Sequence, residues 1–145
     1  GYRGYEQTAA KLVGCWAHAR RKFAEVHKLQ GKHNTGKAYW ALQHIQKLYR
    51  LESEIKEHAP EEKQRIRQTQ SAPLLTQYKT WLDQTIEQVP PQSALGKAIA
   101  YSLNQWPKLT KYIESGHLNI DNNRAERAIK PFDKKKKKFR DKRNL

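Results

Sequence analysis

Two short stretches of this chain gather residue types that can do chemistry. One is Asp121-Asn122-Asn123-Arg124-Ala125-Glu126-Arg127, which sets an acid among cations, with Lys130 one turn further on. Cations that close keep a carboxylate ionised, as a ligand to a divalent metal must be. A basic rim around a metal-binding carboxylate suits phosphodiester chemistry, because a metal works at the reacting phosphate while the cations hold its neighbours. The same residues also read as plain helix capping. Asp121 or Asn122 accepts from free backbone donors, and Glu126 sits in a first turn where the helix dipole favours a carboxylate. Spacing alone favours the cap. Asp121 and Glu126 are five apart, share no helical face and so form no obvious dyad.

The other stretch is Cys15-Trp16-Ala17-His18-Ala19-Arg20-Arg21-Lys22-Phe23. On a helix, His18, Arg21 and Lys22 share a face, since three- and four-residue spacings stack. Three donors that close suit phosphate, which Arg can grip through two hydrogen bonds. The plain alternative, favoured by spacing, is a solvated basic face. Cys15 and His18 also suggest a metal site or a Cys–His nucleophile pair, but two ligands do not make a zinc site and a free Cys is usually a small buried hydrophobe. His27, His33, His44, His58 and His117 lack ligand spacing. No Gly-rich phosphate loop, nucleophile elbow or paired-Cys motif is present.

The elements that position these stretches read as helices. Trp16, Ala19, Phe23 and Val26 make residues 16–29 an amphipathic helix ending near Gly31. Asn34-Thr35 is placed to cap a second helix with the stripe Ala38, Ala41, Leu42, Ile45, Leu48, Tyr49 and Ile55, which Pro60 stops. Pro60-Glu61-Glu62 reads as a fresh helix start. Leu74, Leu75, Tyr78, Trp81, Leu82, Thr85 and Val89 form the cleanest stripe, closed by Pro90-Pro91. Ser93 caps a helix through Leu95, Ile99 and Leu103, and Pro107 breaks or kinks it near Trp106. Gly116 ends that segment, His117 to Ile120 alternates weakly like a short edge strand, and a last helix runs through Ile129 to Pro131. Aromatic residues in such stripes are more often core than ligand platform.

Composition bounds the function. The chain has 145 residues, 29 Lys plus Arg against 14 Asp plus Glu, a net charge of +15, four Trp and one Cys. That is room for one domain, with too many aromatics for full disorder. The single Cys excludes an internal disulfide and fits a reducing, cytoplasmic compartment. No run of 18 apolar residues or signal-peptide core is present, so no membrane partner is expected. The excess charge points to an acidic polymer, most often nucleic acid. It is uneven: residues 1–50 carry a surplus of +8, residues 51–132 are nearly neutral and read as ordinary solvated surface, and residues 133–145 carry +6. This last block has no apolar face, and phosphate affinity from it would carry no sequence readout.

In this order, about a hundred residues apart, the two stretches resemble the transposases of bacterial insertion-sequence-66-type elements. The likeness is carried by Gly1-Tyr2-Arg3-Gly4-Tyr5, Gly14 to Phe23, Ala98-Ile99-Ala100-Tyr101-Ser102-Leu103, Trp106, Leu109 and Ile120 to Pro131, and covers residues 1–132. It implies a DDE recombinase, in which a ribonuclease-H-like core holds two Asp and one Glu around two divalent metals, Mg²⁺ or Mn²⁺. The resemblance places that Glu at Glu126, as catalytic residue and metal ligand. It implies DNA contacts at His18, Arg20, Arg21, Lys22, Asn122, Asn123, Arg124, Arg127 and Lys130. The fold class it implies is mainly α: a partial ribonuclease-H-like α/β core with a large helical insertion and few or no complete strands. Residues 1–30 would be a core remnant, 31–92 the insertion and 93–132 the return to the core with the Glu-bearing helix, while 133–145 is expected to be a basic disordered tail.

The family's second catalytic Asp comes just before the Gly-Tyr-x-Gly-Tyr stretch and its first lies further upstream, so the chain is expected to be inactive alone and to bind no metal tightly. Lacking central strands, it is expected to leave Trp16 and Phe23 partly exposed and to associate with itself or with full-length transposase. The chain is expected to be cytoplasmic and nucleoid-associated. A noncatalytic basic helical DNA-binding or regulatory module and an inert pseudogene product are the alternatives. The likeness stops abruptly after Phe132, where Asp133 and five Lys replace an apolar, Gly-basic-aromatic segment, and this suggests a frame slip. Translation of the other frames of the coding DNA beyond Phe132 is expected to recover that segment; its absence from every frame removes the idea.

Overall fold

The computed structural model describes residues 15–31 and 35–121. They form helices α1 (Trp16–Leu29), α2 (Lys37–Glu54), α3 (Pro60–Ile66), α4 (Ala72–Thr85), α5 (Ala94–Asn104) and α6 (Trp106–Leu109), with a π-helical turn at Arg67–Ser71 and a 3₁₀ turn at Lys111–Glu114. There is no strand among the described residues, so they show nothing of a ribonuclease-H-like sheet. The edge strand expected at 117–120 reduces to one bridged residue, Asn119.

Local chemistry sets the boundaries. α1 ends as expected, with Gly31 in the left-handed region at φ 84°. The start of α2 differs from the sequence reading: its N-cap is Gly36 at φ 96°, without a side-chain cap bond, rather than the Asn34-Thr35 pair. Asn34 lies outside the described residues. Pro60 opens α3 with Glu61 and Glu62 in the first turn. Ser93 caps α5 by accepting the Gly96 N–H at 3.0 Å. α3, the π turn and α4 are continuous in sequence, and Pro73 in the first turn of α4 can give no N–H to the carbonyl four residues back. The wider π turn comes just before it and swings Arg67 and Ser71 into the buried side with Ile66 and Leu75.

Four of the helices close a ring: α1 packs on α2 and α5, and α4 packs on α2 and α5. α1 and α2 run antiparallel, since His27 meets Tyr39 at one end while Ala17 and Tyr49 share Asp121 at the other. Trp16 and Phe23 are fully buried, which corrects the expectation that they would be partly exposed. The ring of helices supplies the cover that the sequence reading assigns to a sheet. Trp16 lies edge-on to Tyr78 (ring centroids 5.5 Å) and Trp106 (6.0 Å), and its indole N–H donates to the Leu109 carbonyl at 2.8 Å. Phe23 packs beside Trp81 at 6.1 Å.

The loop after the 3₁₀ turn is held against the start of α3. A Cβ added at Gly116 would sit 1.8 Å from the Pro60 carbonyl oxygen, a backbone atom that no rotamer change can move aside. Gly116→Ala is therefore expected to destabilise the fold by about 1–3 kcal/mol, the usual cost of overpacking, read from denaturant unfolding. A loss below about 0.5 kcal/mol, the range of ordinary surface changes, would show that the loop can move off Pro60.

Candidate functional site

The first turn of α1 begins without a capping side chain of its own. Cys15 holds the N-cap position in extended backbone, φ −105° and ψ 150°, and the turn contains no acid. Its free donors are met from the far end of the described chain. Asp121 Oδ1 accepts the Ala17 N–H at 3.0 Å, from a residue 104 positions away, and the Ile120 carbonyl accepts the Trp16 N–H at 3.5 Å. A carboxylate at this end also suits the helix dipole. The Tyr49 hydroxyl, on α2, donates to the same Oδ1 at 2.5 Å. Asp121 gives its own N–H to Asn119 Oδ1 at 2.8 Å, which fixes the local backbone as an Asx turn. The two chemically suggestive stretches thus meet at one carboxylate oxygen. The sequence reading assigns Asp121 or Asn122 to the helix that follows; the bonds of Asp121 Oδ1 to described residues go instead to α1 and α2.

The basic face of α1 divides. His18 and Lys22 turn toward α5, with the His18 ring edge-on to Tyr101 at 4.9 Å and Lys22 Nζ 5.1 Å from the centroid of that ring. Burial lowers the His18 pKa, and Lys22 and Arg21 lower it further, so His18 is neutral at pH 7 and adds no third cation. Arg20 and Arg21 are exposed. They stand near the Asp121 junction, Arg20 acting electrostatically on Tyr49 and Arg21 on Cys15. Burial pushes the Cys15 thiol up, with a smaller push from Asp121. A neutral, enclosed thiol is no nucleophile, which removes the Cys15–His18 pair.

Asn122, Asn123, Arg124, Glu126, Arg127 and Lys130 lie outside the described residues. Among the described residues no group of three His, Cys, Asp or Glu side chains could hold a metal ion. This part of the chain therefore does not fit a metal pair. His44 is buried, donates from Nε2 to the Leu74 carbonyl at 2.7 Å, and stacks with Trp40 and Tyr78.

Two residues at the centre of the arrangement were not legible as such. Tyr49 counts in the sequence as one more member of the α2 stripe, and only its hydroxyl hints at a partner. Arg67 lies in a stretch of balanced charge that reads as solvated, yet it is 2% exposed. It forms a two-bonded ion pair with Glu52, Nε to Oε2 at 3.0 Å and Nη2 to Oε1 at 2.6 Å. Its Nη1 donates to the carbonyls of Tyr112, Ser115 and Leu118 at 2.9–3.0 Å, and so anchors the loop that runs into Asp121.

Comparison with known proteins agrees with this pairing of motifs. The family described as "Transposase IS66 family" matches residues 1–143, past the Phe132 at which the resemblance read from the sequence stops. The uncharacterized protein y4jD of Sinorhizobium fredii is 38% identical over 120 residues, covering 83% of this chain and 23% of its own length. The uncharacterized proteins y4qI and y4hP of the same organism are 31% and 30% identical, covering 83% and 89% of this chain and 22% and 26% of their own lengths. The chain thus spans about a quarter of the curated relatives it matches. No solved structure matches it. With a family match that takes in both of the motifs joined at Asp121, the chain belongs to the IS66 transposase family.

Proposed function

We propose that this chain is the segment of an IS66-type transposase that joins a basic helix to the Glu126 motif for DNA cutting and strand transfer, and that it works only with the rest of a longer protein. The observation that supports this reading is the junction at Asp121, where the Cys15–Phe23 helix and the start of the Asp121–Lys130 motif are hydrogen-bonded together. In this reading Glu126 is a catalytic metal ligand, for Mg²⁺ or Mn²⁺, and the remaining carboxylates come from elsewhere in the longer protein. The metal supplies Lewis acidity at the reacting phosphate. The chain's own contribution is to bind and orient: Arg20 and Arg21 hold phosphates of the flanking DNA, and Arg124, Arg127 and Lys130 of the motif bind DNA as well. A protein acting in this way would work at the nucleoid.

A second reading is favoured by the exposure of Arg20 and Arg21. It makes the chain a noncatalytic DNA-binding or regulatory module, which pairs with DNA or with full-length transposase.

Nicking of plasmid DNA in Mg²⁺ or Mn²⁺ separates these readings from catalysis by the chain alone. The purified chain is expected not to nick, while a full-length transposase carrying it is expected to lose strand transfer on Glu126→Gln. Nicking by the chain alone that disappears in Glu126→Gln would mean that the site is complete within it. Full-length activity that survives Glu126→Gln would leave the module reading.

Binding gives a separate check. Arg20→Ala with Arg21→Ala is expected to weaken DNA binding and to flatten the slope of log K against log salt by about 1 for each phosphate no longer neutralised. An unchanged slope would take that face of α1 out of the interface.

A further inference from the structure

We infer that Asp121 is a positioning residue of the Glu126 motif, and that Tyr49 of α2 holds it in place. The inference rests on the reading of Glu126 given above.

Asp121 Oδ1 offers two lone pairs, and both are taken, one by the Ala17 N–H and one by the Tyr49 hydroxyl. Burial, and after it the hydrogen bond and charge of Asp121, push the Tyr49 pKa well above its ordinary value, so the hydroxyl keeps its proton and remains a donor.

Each partner of Asp121 is itself fixed. Ala17 follows Trp16, whose indole is bonded to Leu109 and whose ring is buried against Tyr78 and Trp106. Tyr49 follows Leu48, which is fully buried in the core face of α2. The backbone at Asp121 is set by Asn119 Oδ1 on one side and by the Ile120–Trp16 bond on the other. Side chain and main chain at position 121 are therefore held by groups from α1, α2 and the preceding loop. A carboxylate held this firmly makes a fixed starting point for the chain five residues before Glu126, where displacement of a reacting group by about 1 Å can cost a hundredfold in rate. Tyr49 of α2 then sets where the motif begins.

The test compares Asp121→Asn, Asp121→Ala and Tyr49→Phe with Glu126→Gln in a full-length transposase carrying this segment. Strand-transfer kcat, KM for DNA and thermal midpoint are measured for each. Asn keeps an Oδ1 acceptor for both donors, so Asp121→Asn is expected to stay within about threefold of the parent, whereas a metal ligand would not tolerate it. Asp121→Ala is expected to lose at least tenfold in kcat with KM unchanged. Tyr49→Phe, which removes one oxygen and leaves the ring in place, is expected to fall between them and to remain folded. Asp121→Asn as inactive as Glu126→Gln would make Asp121 a ligand and overturn the inference. So would full kcat in Tyr49→Phe, or losses in Asp121→Ala confined to thermal stability. Activity retained in Glu126→Gln would fail the Glu126 reading instead. The anchor is then judged from amide exchange at Ala17 in the chain itself, where faster exchange in Asp121→Ala but not in Asp121→Asn is expected and equal exchange in both overturns it.

Discussion

The buried guanidinium of Arg67 is the constraint on which the arrangement of this segment depends. A charge taken out of water costs several kcal/mol unless it is paired and its donors are all used. Here Glu52 accepts from Nε and Nη2, three loop carbonyls share the two N–H of Nη1, and the Tyr112 ring lies 5.2 Å from the guanidinium carbon. Breaking such a pair costs roughly 3–5 kcal/mol because the surviving charge stays buried. The loop carbonyls of Tyr112, Ser115 and Leu118 have no sheet to satisfy them, and a buried unpaired carbonyl is itself costly. Arg67 solves both problems at once. It needs the π turn to reach inward, and the π turn comes where Pro73 interrupts the regular ladder.

From Arg67 the constraint passes along the chain to the motif. Fixing Leu118 fixes the path through Asn119 and Ile120, and Asp121 then arrives at the open end of α1 with its own N–H already bonded to Asn119. Glu52 and Tyr49 are one turn apart on α2, so the residue that neutralises Arg67 and the residue that holds Asp121 sit on the same rigid element. The middle of the chain, nearly neutral and without a chemical motif of its own, is thus the scaffold for the stretches on either side.

Much of the helical framework was legible in the sequence because its signals are local. Gly31, Pro60, Ser93 and Pro107 act on their own or the next turn, and the boundaries they mark agree with α1, α3, α5 and α6. What could not be read depends on partners far apart in sequence. Glu52 and Arg67 carry no periodic mark, and nothing in their neighbours distinguishes a buried pair from two solvated charges. Asp121 has the composition of a cap, which is correct, but composition does not say which helix it caps. Exposure of Trp16 and Phe23 follows only if a sheet is their cover; four helices with Tyr78, Trp81 and Trp106 cover them equally well. At the start of α2 the polar pair Asn34-Thr35 is the obvious cap, yet a glycine at φ 96° turns the chain there, because a positive φ is cheap only for glycine.

The occupied end of α1 also limits how this helix can meet a polyanion. The N-terminus of a helix is a ready site for phosphate, with free N–H groups and the positive end of the dipole directed outward. In this chain that site is already filled: Asp121 takes the Ala17 N–H, the Ile120 carbonyl takes that of Trp16, and a carboxylate offsets the dipole. A phosphate brought there would meet like charge. His18 is neutral and turned to Tyr101, and Lys22 is engaged with the same ring. The exposed cations of α1 are therefore Arg20 and Arg21 near its start and Lys28 in its last turn. In the proposed DNA-binding reading, the guanidinium groups would hold phosphates as side-chain forks, contacts that read no base sequence.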